Sequence, residues 1–493
     1  MKNIKKITSL LLSVMIIIGA LGISGCTTNK SDNTLLWYMF GDKPANHDRV
    51  MEKVNEIVER EIGMKLDLQY IDSASYAEKM KLKMAAQEEY DIAFSGYING
   101  YQEGVALGGF YDITEIIDEV GIREVIPDFY LEAATVDGKI YGIPNIQVVS
   151  NPACLHMDKT LAEELNIDMN EIQIAAQNVH SFEDVKKYIN KVDSVFEKVH
   201  TARPDSYVFN PSYSIATLPM YEIVVNGIWI RNDGSSDKLV KMTDTDEWKY
   251  RVEKLHEWFK KGYIRNDIAS KGNALTSDEE KKQIVVRSNT WKPGQELNDA
   301  KVYGEEQVYA LLTKPYVGRT SALATTNVVG ANSKHPKEAV QFLKLINSDK
   351  ELFNLICWGI EGENYTKNEE GKIKEVPNSG YNDIGKSAWK YGNQFNSLIL
   401  ETQENDVWEQ TEEMNDNAIK SPMLGFVVNT DSIATEMANL TNVMAEYTAR
   451  ADFGTEAPDV WMDEFLNKME QAGYQKILDE LQRQYDEFLK SKN

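Results

Sequence analysis

From residue 34 onward, short apolar runs alternate with stripes of helical period. Thr34-Leu-Leu-Trp-Tyr-Met-Phe40, stopped by Gly41-Asp42, predicts a buried strand. Between Asn46 and Ile62 the apolar residues Val50, Val54, Ile57, Val58 and Ile62 keep helical spacing, and Gly63 ends the run. Met64, Leu66, Leu68 and Tyr70 then alternate with Lys65, Asp67 and Gln69, the period of a strand. Ser75-Tyr-Ala-Glu78 has the form of a capping box, opening a helix through about Glu88. Tyr90–Ser95 gives the next strand. The order β-α-β-α-β implies right-handed crossovers and a parallel sheet with helices on both faces. Such sheets bind ligands at the carboxyl ends of their strands, where the strand order reverses. Gly41-Asp42 and Ser95-Gly96-Tyr97 fall at that edge.

Farther on, Val136–Asn145 reads as a hairpin turning at Asp137-Gly138, and residues 146–155 as an extended run. Ser181 starts a helix through about Val192. Trp248, Val252, Leu255 and Phe259 share one helical face, and Pro336 opens a helix carrying Val340, Leu343 and Ile346. From Asp459 two helices break at Ala472-Gly473. Without a repeat or a long Pro/Gly linker, 493 residues imply two α/β lobes whose chain crosses between them more than once.

The N-terminus changes the compartment. A basic start and the apolar run Leu10–Leu21 form an export signal, too short for a stable span. It ends Ile23-Ser24-Gly25-Cys26, which resembles the bacterial lipobox. The resemblance implies cleavage after residue 25 and lipidation of Cys26. Residues 26–33 read as a flexible tether, and the body is expected at the outer face of the cytoplasmic membrane. Cys154 and Cys357 remain, as a pair or as two buried thiols.

Charge and motifs narrow the chemistry. The net charge of −24 disfavours nucleic-acid partners. Gly380–Ser387 matches the phosphate-loop letters, but Pro377-Asn-Ser in front is turn chemistry, so a solvent loop is expected. No zinc-protease, serine-elbow or Cys-x-x-Cys pattern occurs, and six scattered His give no metal set. Neither cofactor nor metal is expected. Tyr97, Trp229, Trp291, Trp358, Trp389 and Tyr391 sit beside Gly, Asn or Pro rather than on periodic stripes. Aromatic faces stack on sugar C–H faces, and nearby amides and carboxylates serve the hydroxyls.

With these residues in place, the chain resembles the family 1 extracellular solute-binding proteins of bacterial ABC importers. The front half carries the likeness in Tyr90–Phe94, Gly108–Glu115, Asp137–Pro144, His156–Thr160 and Ala331–Leu343. The back half, with Lys261–Asp267, Trp358–Tyr365, Trp389–Asn393, Leu424–Phe426 and Glu480–Tyr485, is similar to a subfamily with a helical C-terminal extension tied to oligosaccharide uptake. It departs at Glu363-Asn364, where a basic residue and His are expected. The resemblance implies a two-lobed α/β fold of the periplasmic-binding-protein type with extra C-terminal helices. Lobe 1 is expected to hold residues 34–145 and 325–355, and lobe 2 residues 146–324 and 356–493.

The expected ligand is a sugar, oligosaccharide or other small solute, bound by a monomer and passed to permease subunits. From position and residue type, Asp42 is the expected hydroxyl acceptor and Tyr97 the stacking wall. Asn145 and Gln147 lie on the first crossing, and Trp229, Trp291, Trp358, Glu361 and Asn393 are the expected contributions from the other side. The competing readings are a surface glycoside hydrolase, which needs a close carboxylate pair, and an adhesion or sensor lipoprotein.

Overall fold

The computed structural model of the chain describes residues 33–211 and 219–492. The export segment, Cys26 and the tether up to residue 32 lie outside the described residues. Among those described, no helix is long and apolar enough to cross a membrane.

The first lobe is built on a five-stranded sheet in the order Lys65–Ile71, Thr34–Phe40, Ile92–Gly96, Thr325–Val329, Gly142–Pro144. The first three strands are parallel, and the return strand Thr325–Val329 is antiparallel to both its neighbours. Helix His47–Ile62 buries Val50, Val54, Ile57 and Val58, the stripe its sequence shows, and Gly63 ends it at φ +70. The next helix runs Ser73–Ala85 and is capped by Asp72, whose carboxylate accepts from the Ala74 N–H. The capping box at Ser75 therefore lies inside the helix, three residues past the true N-cap Asp72. The expected hairpin turns at Asp137 and Gly138, both at positive φ, as a two-residue loop requires. Around this sheet, Trp37, Phe94, Phe342, Leu343 and Ile346 form one buried cluster. Trp358, Tyr365, Ile373, Tyr381 and Tyr391 belong to the same cluster. The stretch from 356 to about 391 thus packs with the first lobe, whereas the sequence division put it in the second.

The second lobe carries a four-stranded sheet in the order Gln307–Leu311, Ala153–Asp158, Ile284–Thr290, Tyr207–Phe209. Helix Phe182–Ala202, longer than its sequence pattern suggests, packs Tyr188, Ile189, Val192, Phe196 and Val199 against it. Cys154 and Cys357 are both buried and free, far apart in sequence and set in different lobes. Under helix Gln295–Tyr303 lies a polar group. His156 is fully buried, its Nδ1 is 3.2 Å from Gln307 Oε1, and Nε2 has no partner. Burial pulls its imidazole down to about 4, against the opposing pull of Asp299. The unfolded chain takes up this proton near pH 6.5 and the folded one only near 4, so stability falls as pH drops through that window. Thermal unfolding should show a lower midpoint at pH 4.5 than at pH 7. His156→Gln should flatten that slope.

A third cluster joins the small sheet Tyr221–Val225, Ile228–Arg231, Val240–Lys241 to helices Ala434–Ala451, Pro458–Gln471 and Tyr474–Lys492. The first of these helices escaped the sequence reading. Trp248 stacks on Phe465 at 5.8 Å, and Tyr474 hydroxyl donates to the Gly227 carbonyl. The C-terminal helices therefore complete the core beneath the small sheet.

Candidate functional site

The site begins at the carboxyl edge of the first-lobe sheet. Strand Thr34–Phe40 sits between Lys65–Ile71 and Ile92–Gly96, so the strand order reverses beside it. Gly41 and Gly96 end the two central strands at φ +128 and +144, where side chains are strained. A Cβ on Gly96 would lie 2.2 Å from the Ala324 carbonyl oxygen. That same oxygen accepts the Tyr97 N–H at 2.9 Å. The return segment therefore runs tightly over Gly96 and turns Tyr97 outward, where it is 63% exposed.

Trp389 stands beside it. The rings of Tyr97 and Trp389 are 5.9 Å apart, and Phe40 lies 6.1 Å from the first and 6.2 Å from the second. Phe94 supports all three from below. Trp389 is half-buried, so both it and Tyr97 keep surface facing outward. A network fixes the turn that carries Trp389. The Lys390 carbonyl accepts from Asn145 Nδ2 at 2.8 Å and from Asn327 Nδ2 at 3.2 Å. Asn327 also donates to Asn145 Oδ1 and accepts from the Trp37 indole. The Lys390 side chain is buried as well, and its ammonium donates to the Phe40 carbonyl at 3.3 Å.

The chain passes between lobes at residues 145–152 and again at 313–324. Asn415, on helix Val407–Asp416, stitches a third passage to the first. It accepts from the Val149 N–H and the Ser150 hydroxyl and donates to the Gln147 carbonyl. Half-buried Glu222 and buried Arg319 tie the second passage to the small sheet. Glu222 accepts from Tyr316 hydroxyl and the Arg319 N–H, each at 2.6 Å. Arg319 donates to the Val224 carbonyl at 3.0 Å.

The expected site residues divide accordingly. Asp42 and Tyr97, both exposed, follow neighbouring strands at the same sheet edge. Trp291 starts beside the first crossing, its N–H on the Pro152 carbonyl and its indole on Glu296 at 2.7 Å, and it is partly exposed. Gln147 is half-buried and donates to Thr325 Oγ1. Asn145 is buried and spent on the Trp389 turn, so it holds the site rather than opening onto it. Trp358 is a core residue of the first lobe, its indole on Ser397 Oγ and its ring against Gly385. Trp229 is buried in the third cluster against Tyr221. Glu361 is a surface partner of Lys367, and Asn393 caps the turn Gln394–Asn396. Trp358, Trp229 and Glu361 are thus engaged elsewhere, and Asn393 closes the turn that follows Trp389.

Two groups at the edge were missed. Trp389 stood among the loop aromatics without being selected, and Lys390 carried no signal. The phosphate-loop lookalike is a short helix, Asn382–Lys386, with Lys386 paired to Glu375 at 3.0 Å. Among the described residues no group of three His, Cys, Asp or Glu is placed to hold a metal. A separate groove of about 530 Å³ lies on the outer flank of the first lobe, between helix His47–Ile62 and the edge strand. Its lining is rich in carboxylates (Asp48, Glu52, Asp67), and Asn55 blocks the strand edge by bonding both backbone groups of Leu66.

Residues 53–355 match the family model described as bacterial extracellular solute-binding protein. The chain is a member of that family. Residues 422–490, the C-terminal helices with the turns before them, match a domain of unknown function. A protein of Streptococcus pneumoniae named as a carbohydrate ABC transporter substrate-binding protein is 29% identical over the full length of both chains. The solved N-glycan transport solute-binding protein of the same species is 27% identical and covers 93% of this chain and 100% of its own, with a TM-score of 0.77. Its complex with Man5GlcNAc superposes at a TM-score of 0.63, with 28% identity over 93% of this chain and 99% of its own. The fold is thus that of the two-lobed solute-binding proteins.

Proposed function

We propose that this solute-binding protein captures an oligosaccharide between its lobes and delivers it to the permease of an ABC importer, with no covalent chemistry. One observation carries the reading. Tyr97, 63% exposed, and Trp389 form an aromatic corner at the switch point of the first-lobe sheet, where such folds take their ligands. An exposed aromatic pair is costly to leave in water and suited to the C–H face of a sugar ring. The S. pneumoniae relatives, named for carbohydrate and N-glycan transport, support the same class.

In this reading Asp42 accepts a sugar hydroxyl, and Trp291 and Gln147 reach the ligand from the crossing side as the lobes close. The ligand-binding lobe comprises residues 34–145 together with 325 to about 391. Closure is stabilised only because the ligand touches both lobes. Cys26 bears the lipid that holds the protein at the outer membrane face, within reach of the permease.

A thermal-shift panel of glycans on residues 27–493 tests the proposal. A ligand at about 100 times its dissociation constant stabilises the folded state by about 2.7 kcal/mol, a readable shift. A shift with one glycan class, the sugar recovered intact, supports uptake. Cleavage of that sugar would contradict the reading in favour of a hydrolase, and no shift with any glycan would remove the sugar class.

A further inference from the structure

Lys390 is 7% exposed, yet it lacks the carboxylate partner that Lys241, at 6%, has. Lys241 reaches Glu470 at 2.5 Å, and Lys254 reaches Asp193 at 2.6 Å. Around Lys390, among the described residues, there is no carboxylate in ion-pair range. Its acidic neighbour is the buried Cys357 thiol, which burial keeps protonated. The ammonium has three hydrogens to place. One goes to the Phe40 carbonyl at a long 3.3 Å. The Phe40 ring at 4.5 Å and the Tyr391 ring at 5.6 Å offset part of the desolvation. A buried charge without a partner is expensive in an interior, and this one persists in a protein of net charge −24.

Its position gives the lack of a partner a meaning. Phe40, whose ring the ammonium faces, is the ring that joins Tyr97 to Trp389. Lys390 follows Trp389 directly, and its carbonyl is the anchor of that turn. On the strand side stands Gly41, where a side chain would begin 3.6 Å from the ammonium nitrogen. Glycine there adds no side chain on that side of the ammonium nitrogen. The aromatic corner and the unpaired cation therefore share one wall.

We propose that the cleft selects acidic oligosaccharides: the sugar stacked on Tyr97 and Trp389 carries a carboxylate, and Lys390 supplies its counter-charge. The inference rests on the oligosaccharide reading above and narrows its substrate class. Burial alone pulls the Lys390 ammonium down to about 8. An anion arriving beside it favours the charged form, so binding draws in a proton from weakly alkaline buffer.

Titration calorimetry at pH 7 decides the matter with two matched pairs: oligogalacturonate against its methyl ester, and sialyllactose against lactose. In at least one pair the acid is expected to bind about tenfold tighter than its neutral partner, since a charge-assisted contact is made only there. Lys390→Met should bring that ratio near one, and Lys390→Arg should retain most of it. At pH 8.5, heats in buffers of different ionisation enthalpy should reveal proton uptake with the wild type only. Equal or tighter binding of the neutral partners, or a preference that survives in Lys390→Met, overturns the inference while the oligosaccharide reading stands. Failure of every glycan, acidic and neutral, overturns both.

Discussion

Trp389→Ala lowers oligosaccharide affinity by roughly thirty-fold, and Tyr97→Ala by about tenfold. The difference follows from area and support. The indole offers the larger face, and it is held rigid by the Asn145–Asn327–Lys390 network. Tyr97 is free on most of its surface and gains less fixed geometry from Phe40 and Phe94. Covering most of an aromatic face at about 25 cal/mol per Å² gives on the order of 2 kcal/mol, which is the thirty-fold. Binding should weaken mainly through faster dissociation, because the encounter itself does not need the corner. Titration calorimetry of both variants against a glycan from the panel reads the effect. An affinity unchanged in Trp389→Ala moves the site elsewhere. Trp358→Ala is a useful contrast: it empties a packed place in the first-lobe core and should cost stability, not contacts.

Gly96→Ala is expected to be the most damaging single change near the site. Gly96 sits at φ +144, and its added methyl would begin 2.2 Å from the Ala324 carbonyl oxygen. That oxygen is backbone, so the collision cannot be relieved by a rotamer change. Strand Ile92–Gly96 and the return segment must separate, breaking the Tyr97 N–H to Ala324 bond. Backbone strain and overpacking together cost on the order of 3–4 kcal/mol. Urea unfolding should show a clearly lower midpoint, and glycan affinity should fall with it as Tyr97 loses its seat. Gly138→Ala, also at positive φ but with nothing near its side chain, should cost much less.

How much of this was legible depends on how local each cause is. The strand–helix–strand order of residues 34–96 was readable because its periods are written in adjacent residues, and the switch-point edge followed from that order. Tyr97 and Asp42 followed in turn. Trp358 was misread because it stands next to Gly359 and looks like a loop residue. It is the last residue of helix Lys350–Trp358, and its burial comes from Ser397 and Gly385. Trp229 was misread for a similar reason. The helices that cover it lie more than 200 residues further along the chain. The stretch from 356 to 391 shows no period that names its lobe. Its placement is decided by contacts distant in sequence, such as Trp37 and Tyr70 against Tyr391, the second of these 321 residues apart. Lys390 had no local mark at all, since the groups that bury it are Phe40, Asn145 and Asn327.

The central claim is that the ligand sits between the lobes on the first-lobe sheet edge. Hydrogen exchange on residues 27–493, with and without a saturating glycan from the panel, tests it directly. The account predicts protection at residues 41–43, 96–99 and 388–393, together with the crossings at 145–152 and around Trp291, as both lobes clasp the sugar. Protection confined to the flank groove of His47, Asn55 and Tyr70, or spread over the C-terminal helices with the sheet edge unchanged, would contradict it.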